Sequence, residues 1–154
     1  MDISIKKFQE LSLIELYDLL QLRSEVFVVE QDCVYQDIDG KDDKALHILG
    51  KVNNKLVAYT RCFKPGEYFD ISSIGRVVVH KNFRNKGLAH TIMNRSIEII
   101  TQRHKINQIK VSAQTYLKSF YEFHGFKKKG DEYSEDGIPH ISMILDTDET
   151  LNSF

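Results

Sequence analysis

Three consecutive valines, Val77-Val78-Val79, lead through the polar turn His80-Lys81-Asn82-Phe83-Arg84-Asn85-Lys86 to Gly87 and then to an amphipathic stretch ending near Arg103. Leu88, Ile92, Met93, Ile97 and Ile100 recur there at helical spacing, so the segment reads as strand, cationic turn and helix in succession. A short apolar run of this kind suits a mid-sheet strand buried on both faces. A helix that begins just after such a strand turns the unpaired N–H groups of its first turn, and the positive end of its dipole, towards solvent. Gly87 permits close backbone approach, and Arg84 and Lys86 add full charges, so the turn suits a phosphate. The same residues equally suit a plain basic strand-to-helix turn tightened by glycine. Neither G-x-G-x-x-G nor G-x-x-x-x-G-K-[ST] occurs, which weakens nicotinamide and nucleoside-triphosphate readings.

The flanking chain supplies the rest of a sheet. Ile3 and Ile5 alternate with polar residues in an opening strand, and Ser12-Leu13-Ile14-Glu15 has the capping-box pattern of a helix start. Leu13, Leu16, Leu20 and Phe27 carry that helix towards the Val26-Phe27-Val28-Val29 run. Residues 47–52 and 56–63 read as strands joined at Asn53-Asn54, a hairpin pair. Residues 109–113 form a strand, 116–124 a short helix stopped by Gly125, and 141–145 a last strand. A hairpin followed by strand, helix and strand predicts an α/β fold with a mixed sheet flanked by helices. At 154 residues, 42% hydrophobic and 28% charged, with no linker or repeat, the chain is expected to form one globular domain over 1–154.

The net charge of −1 leaves no cationic excess for nucleic acid or a membrane surface, but it is a cancellation. From Glu30 to Asp43 six acids face only Lys41, and from Arg84 to Lys129 ten bases face only Glu98 and Glu122. The first stretch is either a solvated loop or a lure for a cationic amine; the second suits an anionic ligand, with nucleic acid a weaker alternative. Cys33 and Cys62 lie far apart, so neither a disulfide framework nor a thiolate zinc site is expected. The six histidines do not pair at ligand spacing, and in the calcium-loop-like Asp37-Ile38-Asp39-Gly40 the register puts Tyr35 first and Leu46 twelfth, so no metal is expected. No leader pattern and no run of 18 apolar residues is present, which makes the cytoplasm the expected compartment.

Arg84-Asn85-Lys86-Gly87-Leu88-Ala89 resembles the R/Q-x-x-G-x-G/A signature of the GCN5-related N-acetyltransferases (GNAT), and Tyr121-Glu122-Phe123-His124-Gly125-Phe126 resembles their Y-x-x-x-G-F segment. Leu20-Gln21-Leu22-Arg23, Val26-Phe27-Val28-Val29-Glu30-Gln31, Tyr35-Gln36-Asp37-Ile38-Asp39-Gly40 and Glu135-Asp136-Gly137-Ile138-Pro139-His140 are similar to the ElaA-like branch of that superfamily. Ala89 stands where many relatives have Gly, and Gln114 where many have Asn. The resemblance implies acetyl-coenzyme A (acetyl-CoA) as donor, its pyrophosphate on the backbone of Arg84, Asn85, Lys86, Gly87, Leu88 and Ala89 and its pantetheine arm along Val77, Val78 and Val79. It also implies an amide contact from Gln114 and a role for Tyr121 as the acid that protonates the departing thiolate. Lys118 and the Lys127-Lys128-Lys129 run would approach the 3′-phosphate, although the run also suits a solvated strand start.

A phenol of pKa about 10 stays protonated at neutral pH and can donate, although a helix tyrosine beside Phe120 and Phe123 also suits plain core packing. The implied reaction is direct attack, within a ternary complex, by the primary amine of a small molecule or peptide. A lysine-like amine of pKa about 10.4 must first lose a proton. Glu30, His47, His140 and a water chain stand as equal candidates for accepting it. The alternative is an acyl-CoA sensor or interaction module that binds the same ligand without turning it over. A homodimer is compatible with either.

Overall fold

Alternating Ile3 and Ile5 build β1 (Asp2–Lys7), which pairs antiparallel with β2 (Leu46–Val52). The computed structural model describes residues 1–148, so positions 149–154 of the expected domain lie outside it. Helix α1 (Leu13–Arg23) starts at Ser12, whose hydroxyl accepts from the Glu15 amide while the Glu15 carboxylate accepts from the Ser12 amide at 3.0 Å. The capping box is therefore formed as expected. The helix does run on into the valine-rich segment, but Ser24–Glu30 is wound as a π-helix, with the Gln31 and Cys33 amides donating to Val26 and Val28 five residues back.

Strand β3 (Lys55–Phe63) returns from β2 through Asn53 and Asn54, both at positive φ (49° and 66°), the backbone of a tight hairpin. β4 (Ser72–Val79) pairs antiparallel with β3, with a bulge: Tyr59 faces Val78 and Arg61 faces Gly75, so Arg76 and Val77 share the space opposite Thr60. Arg76 takes φ 48° to make the bend. Helix α2 (Leu88–His104) then crosses to β5 (Gln108–Gln114), parallel to β4. After α3 (Lys118–Phe123) come β6 (Lys127–Lys128), β7 (Tyr133–Glu135) and β8 (Ile138–Asp146). The eight-stranded sheet runs β1-β2-β3-β4-β5-β8-β6, with β7 on β8.

The alternation along β2 and β3 sorts the core. Ile48, Ala58 and Cys62 face α2 with Ile92, Met93 and Ile100, while Leu49, Tyr59 and Val78 face α1 with Leu19 and Leu22. β4 is mid-sheet as expected, but it is not buried on both faces throughout. β5 pairs with it only at Ser72 and Ser73; past Ser73, ahead of the bulge, the two strands part, leaving Val77 and Val79 half-buried. β6 bears out the solvated strand start at the Lys127-Lys128-Lys129 run, while β7 is unexpected: it is short and exposed, with no apolar alternation to announce it.

Candidate active site

The parting of β4 from β5 opens a cleft of about 700 Å³. Val77, Val78 and Val79 form one wall, Gln114 and Tyr121 lie on the other side, and Arg84, Ala89, Glu30 and His140 also line it. Asn85, Lys86, Gly87 and Leu88 make the turn into α2 beside that lining, and Lys118 is not part of it, sitting 3.9 Å from Glu122. At the turn Asn85 and Gly87 are left-handed (φ 63° and 76°) and no side chain caps α2. A Cβ built on Gly87 would meet nothing within 4 Å, so the helix N-terminus stands open.

Arg84 is anchored. Its Nε donates to the Val79 carbonyl at 3.1 Å and a terminal nitrogen donates to Glu30 at 2.7 Å, so Glu30 already holds a cation. The Gln114 side chain is also engaged, exchanging two 3.2 Å hydrogen bonds with Gln31 across the cleft. Tyr121 is 6% exposed, with its ring edge-on to Phe120 and Phe126. Burial, helped by Tyr116, pushes its phenol well above the ordinary value, so it carries its proton throughout the neutral range. Tyr121 is thus a packed ring that also lines the cleft.

His140 is buried at the cleft and its Nδ1–H donates to the Ile138 carbonyl at 2.7 Å, with Nε2 at 3.3 Å from Glu135. His47 is fully buried and does not line the cleft: its Nε2–H donates to the Asp42 carbonyl at 2.8 Å and its Nδ1 accepts from the Tyr59 hydroxyl at 2.6 Å. Burial pushes its pKa down, so it is a neutral structural group and not a base for the reaction.

The acidic stretch is largely one half of a buried ion network. Arg23 binds Asp37 at 2.9 Å and Asp42 at 2.8 Å, Arg61 binds Asp39 at 2.5 Å and Asp42 at 2.9 Å, and Arg76 lies 2.8 Å from Asp37. Burial alone would raise the Asp39 carboxyl; the Arg61 fork, with the Lys41 amide and Arg76, overrides it and holds it at about 2. Asp42 is likewise lowered against the effect of burial by Arg23 and Arg61. These three aspartates face this protein's own arginines and Glu30 is held by Arg84, which corrects the expectation of an open lure for a cation, while Asp32 and Asp43 are solvent-exposed as in a solvated loop. Both cysteines are buried and free, and burial pushes the Cys62 thiol up to about 12. Among the described residues, no group of three or more His, Cys, Asp or Glu could hold a metal ion, and no helix is long and apolar enough to cross a membrane.

Sequence reasoning missed Arg23, Arg61 and Arg76. The available signal was Arg23 beside Leu19, Leu22 and Val26 on the buried face of the first helix. It also missed Ser112 and Glu135, which line the cleft next to His140.

Diverging parallel strands, a bulge beside the gap and a glycine-led helix at its end give a fold that matches acyl-CoA N-acyltransferases. One such crystal structure, from Pseudomonas aeruginosa, superposes with a TM-score of 0.88 at 39% identity, covering 94% of this chain and 99% of that one. The crystal structure of Escherichia coli ElaA superposes equally well, with a TM-score of 0.88 at 40% identity over 94% of this chain and 99% of that one. In sequence, E. coli K12 protein ElaA is 44% identical over 136 residues, 87% of this chain and 89% of that protein. Residues 11–147 match the family model described as an acetyltransferase (GNAT) domain. The chain belongs to the GNAT acetyltransferase family, in its ElaA-like branch.

Proposed function

We propose that the protein is an N-acetyltransferase that passes an acetyl group from acetyl-CoA to the primary amine of a small molecule or peptide, by direct attack with both bound in the cleft and without a metal. The observation that carries this reading is the placement of an open helix N-terminus and a buried, protonated tyrosine along one cleft. The residues fit such a donor. The space above Gly87 admits a phosphate to the first-turn N–H groups of α2. Past Ser73 the edge of β4 is free of β5, so the main chain of Val77, Val78 and Val79 can pair with an extended, amide-bearing arm. Acetyl-CoA supplies the activated acyl carbon and a thiol leaving group.

Arg84, braced by Glu30 and the Val79 carbonyl, fixes the turn and adds its charge to the phosphate end. Lys86 adds a second charge there. Lys118 stays within reach of solvent on α3, where the 3′-phosphate would extend. Tyr121 holds the proton that the departing sulfur needs, and its buried ring keeps the hydroxyl from swinging away. A cytoplasmic setting, no nucleic-acid or membrane partner and freedom to form a homodimer belong to the same proposal.

The test is thiol release from acetyl-CoA across a panel containing benzylamine, an amino sugar, free lysine and a lysine-bearing peptide. Amine-dependent thiol release with formation of the acetylated amine is the expected result. Tight acetyl-CoA binding with no acceleration by any amine would replace the enzyme with the acyl-CoA sensor.

A further inference from the structure

The π-turn, the ion network and the phosphate turn leave one hydrogen-bonded cluster of the cleft unassigned. The hairpin turn at Asp136 and Gly137, both at positive φ (51° and 77°), folds β7 onto β8 and sets Glu135 against His140. One Glu135 oxygen lies 3.3 Å from His140 Nε2 and accepts from the Ser112 hydroxyl of β5 at 3.1 Å. Ser112 in turn shares a short hydrogen bond with the Tyr133 hydroxyl, and the Tyr133 ring stacks on His140. Ser112, Glu135 and His140 all line the cleft that Tyr121 lines.

Proton positions follow from what each atom can do. A carboxylate only accepts, so the Ser112 hydrogen points to Glu135, and Tyr133 must then donate to Ser112. The Ile138 carbonyl only accepts, so His140 Nδ1 carries a hydrogen and Nε2 is the atom turned to Glu135. A neutral Nε2 and a carboxylate would oppose two lone pairs across this gap. The pair is satisfied when one proton, or one N–H of a bound cation, sits with it.

The surroundings set the sign of the ligand. Glu30 and Asp39, the cleft acids from the N-terminal half, are taken by Arg84 and Arg61. Among the described residues, Glu135 faces no lysine or arginine. Its neighbours are Ser112 of β5, Tyr133 of β7, His140 of β8 and the further negative charge of Asp136. Gln114, in register with His140, is uncharged and held by Gln31.

We propose that Glu135 and His140, oriented by Ser112 and Tyr133, form the subsite that binds the acceptor nitrogen and takes its proton, so that the acceptor is a primary alkylamine arriving as an ammonium ion. This rests on the acetyltransfer reading above. The ammonium gives one proton to the Glu135–His140 pair, and the freed lone pair attacks the thioester carbonyl carbon. The C–N bond forms and the C–S bond breaks; Tyr121 gives its proton to sulfur and is reset by the second proton leaving nitrogen. The first proton passes from the pair to water. The products are the acetamide, the free thiol and one proton.

The experiment is the pH profile of kcat/KM for benzylamine, or for the panel amine that the wild type acetylates fastest, with acetyl-CoA affinity measured alongside by calorimetry. In Glu135→Gln, kcat/KM at pH 7 should fall by about 100-fold and recover as pH rises towards the pKa of the amine itself, which then sheds its own proton. Acetyl-CoA affinity should stay at the wild-type value. Ser112→Ala, a milder change, should lower kcat/KM at pH 7 by a smaller factor with the same recovery at high pH, because Glu135 loses the hydroxyl that orients it. A loss that is the same at every pH, or an unchanged profile in both variants, overturns the subsite while leaving the acetyltransferase standing. No thiol release from the wild type with any amine overturns the acetyltransferase reading and the subsite with it.

Discussion

Replacing Gly87 with alanine separates what the turn does for the fold from what it does for the ligand. Gly87 takes φ 76° and ψ 7°, and a Cβ there meets nothing within 4 Å, so the change adds backbone strain and no clash. An L-residue held in the left-handed region costs roughly 1–2 kcal/mol. In a domain of about 150 residues each 1 kcal/mol is a fall in Tm of about 2–4 °C. The effect on the ligand is larger. A methyl group in the open space above the first-turn N–H groups holds a phosphate away from them. The loss of one hydrogen bond to a charged group is about 1.5–3 kcal/mol, and 2 kcal/mol is roughly 30-fold in Kd. Titration calorimetry with acetyl-CoA, paired with a urea melt, measures both quantities on one sample. A Kd within about twofold of wild type alongside the expected loss of stability would refute the phosphate role of this turn and leave it a tight basic corner.

The ion network carries the next predictions. Arg23→Met leaves Asp37 and Asp42 short of their buried partner and should destabilise the fold by about 3–5 kcal/mol in urea; a loss below about 1 kcal/mol would contradict the network's structural role. The pH dependence has a fixed sign. His47, pushed down from 6.5 by burial, lets the unfolded chain take a proton that the native chain refuses, so stability declines as pH falls below 6.5. Asp39 and Asp42 lie below their ordinary 3.8, so their stabilisation is present above that value and is lost as pH falls through the native value, about 2 for Asp39. Urea midpoints recorded from pH 7 to pH 3 should therefore fall steadily, and a rise over that range would contradict the assignment.

How much of this was readable in the chain differs by feature. The strand-turn-helix at Val77 to Arg103 was legible because apolar periodicity and a glycine are local signals, and the Asn53-Asn54 hairpin and Ser12 cap for the same reason. The cleft itself was not. It depends on β5 leaving β4 after Ser73, beside a bulge that appears only once β3 and β4 are in register. The π-turn at Ser24–Glu30 has the composition of ordinary helix, and what distinguishes it is where it delivers Glu30 and Gln31. Charge sums along the chain misjudged the acidic stretch because its partners, Arg23, Arg61 and Arg76, come from α1, β3 and β4. Tyr133 and Glu135 share a face of β7 by their spacing of two, but Ser112 and His140 meet them only through strand pairing with β5 and β8, which no local spacing brings together in advance.

The most direct test of the account is Tyr121→Phe, which keeps the ring against Phe120 and Phe126 and removes only the hydroxyl. Turnover of acetyl-CoA with a saturating amine, followed as thiol release from pH 6 to pH 9, should drop by about 100-fold while acetyl-CoA Kd stays within about twofold of wild type. Turnover equal to wild type across that range would contradict the account.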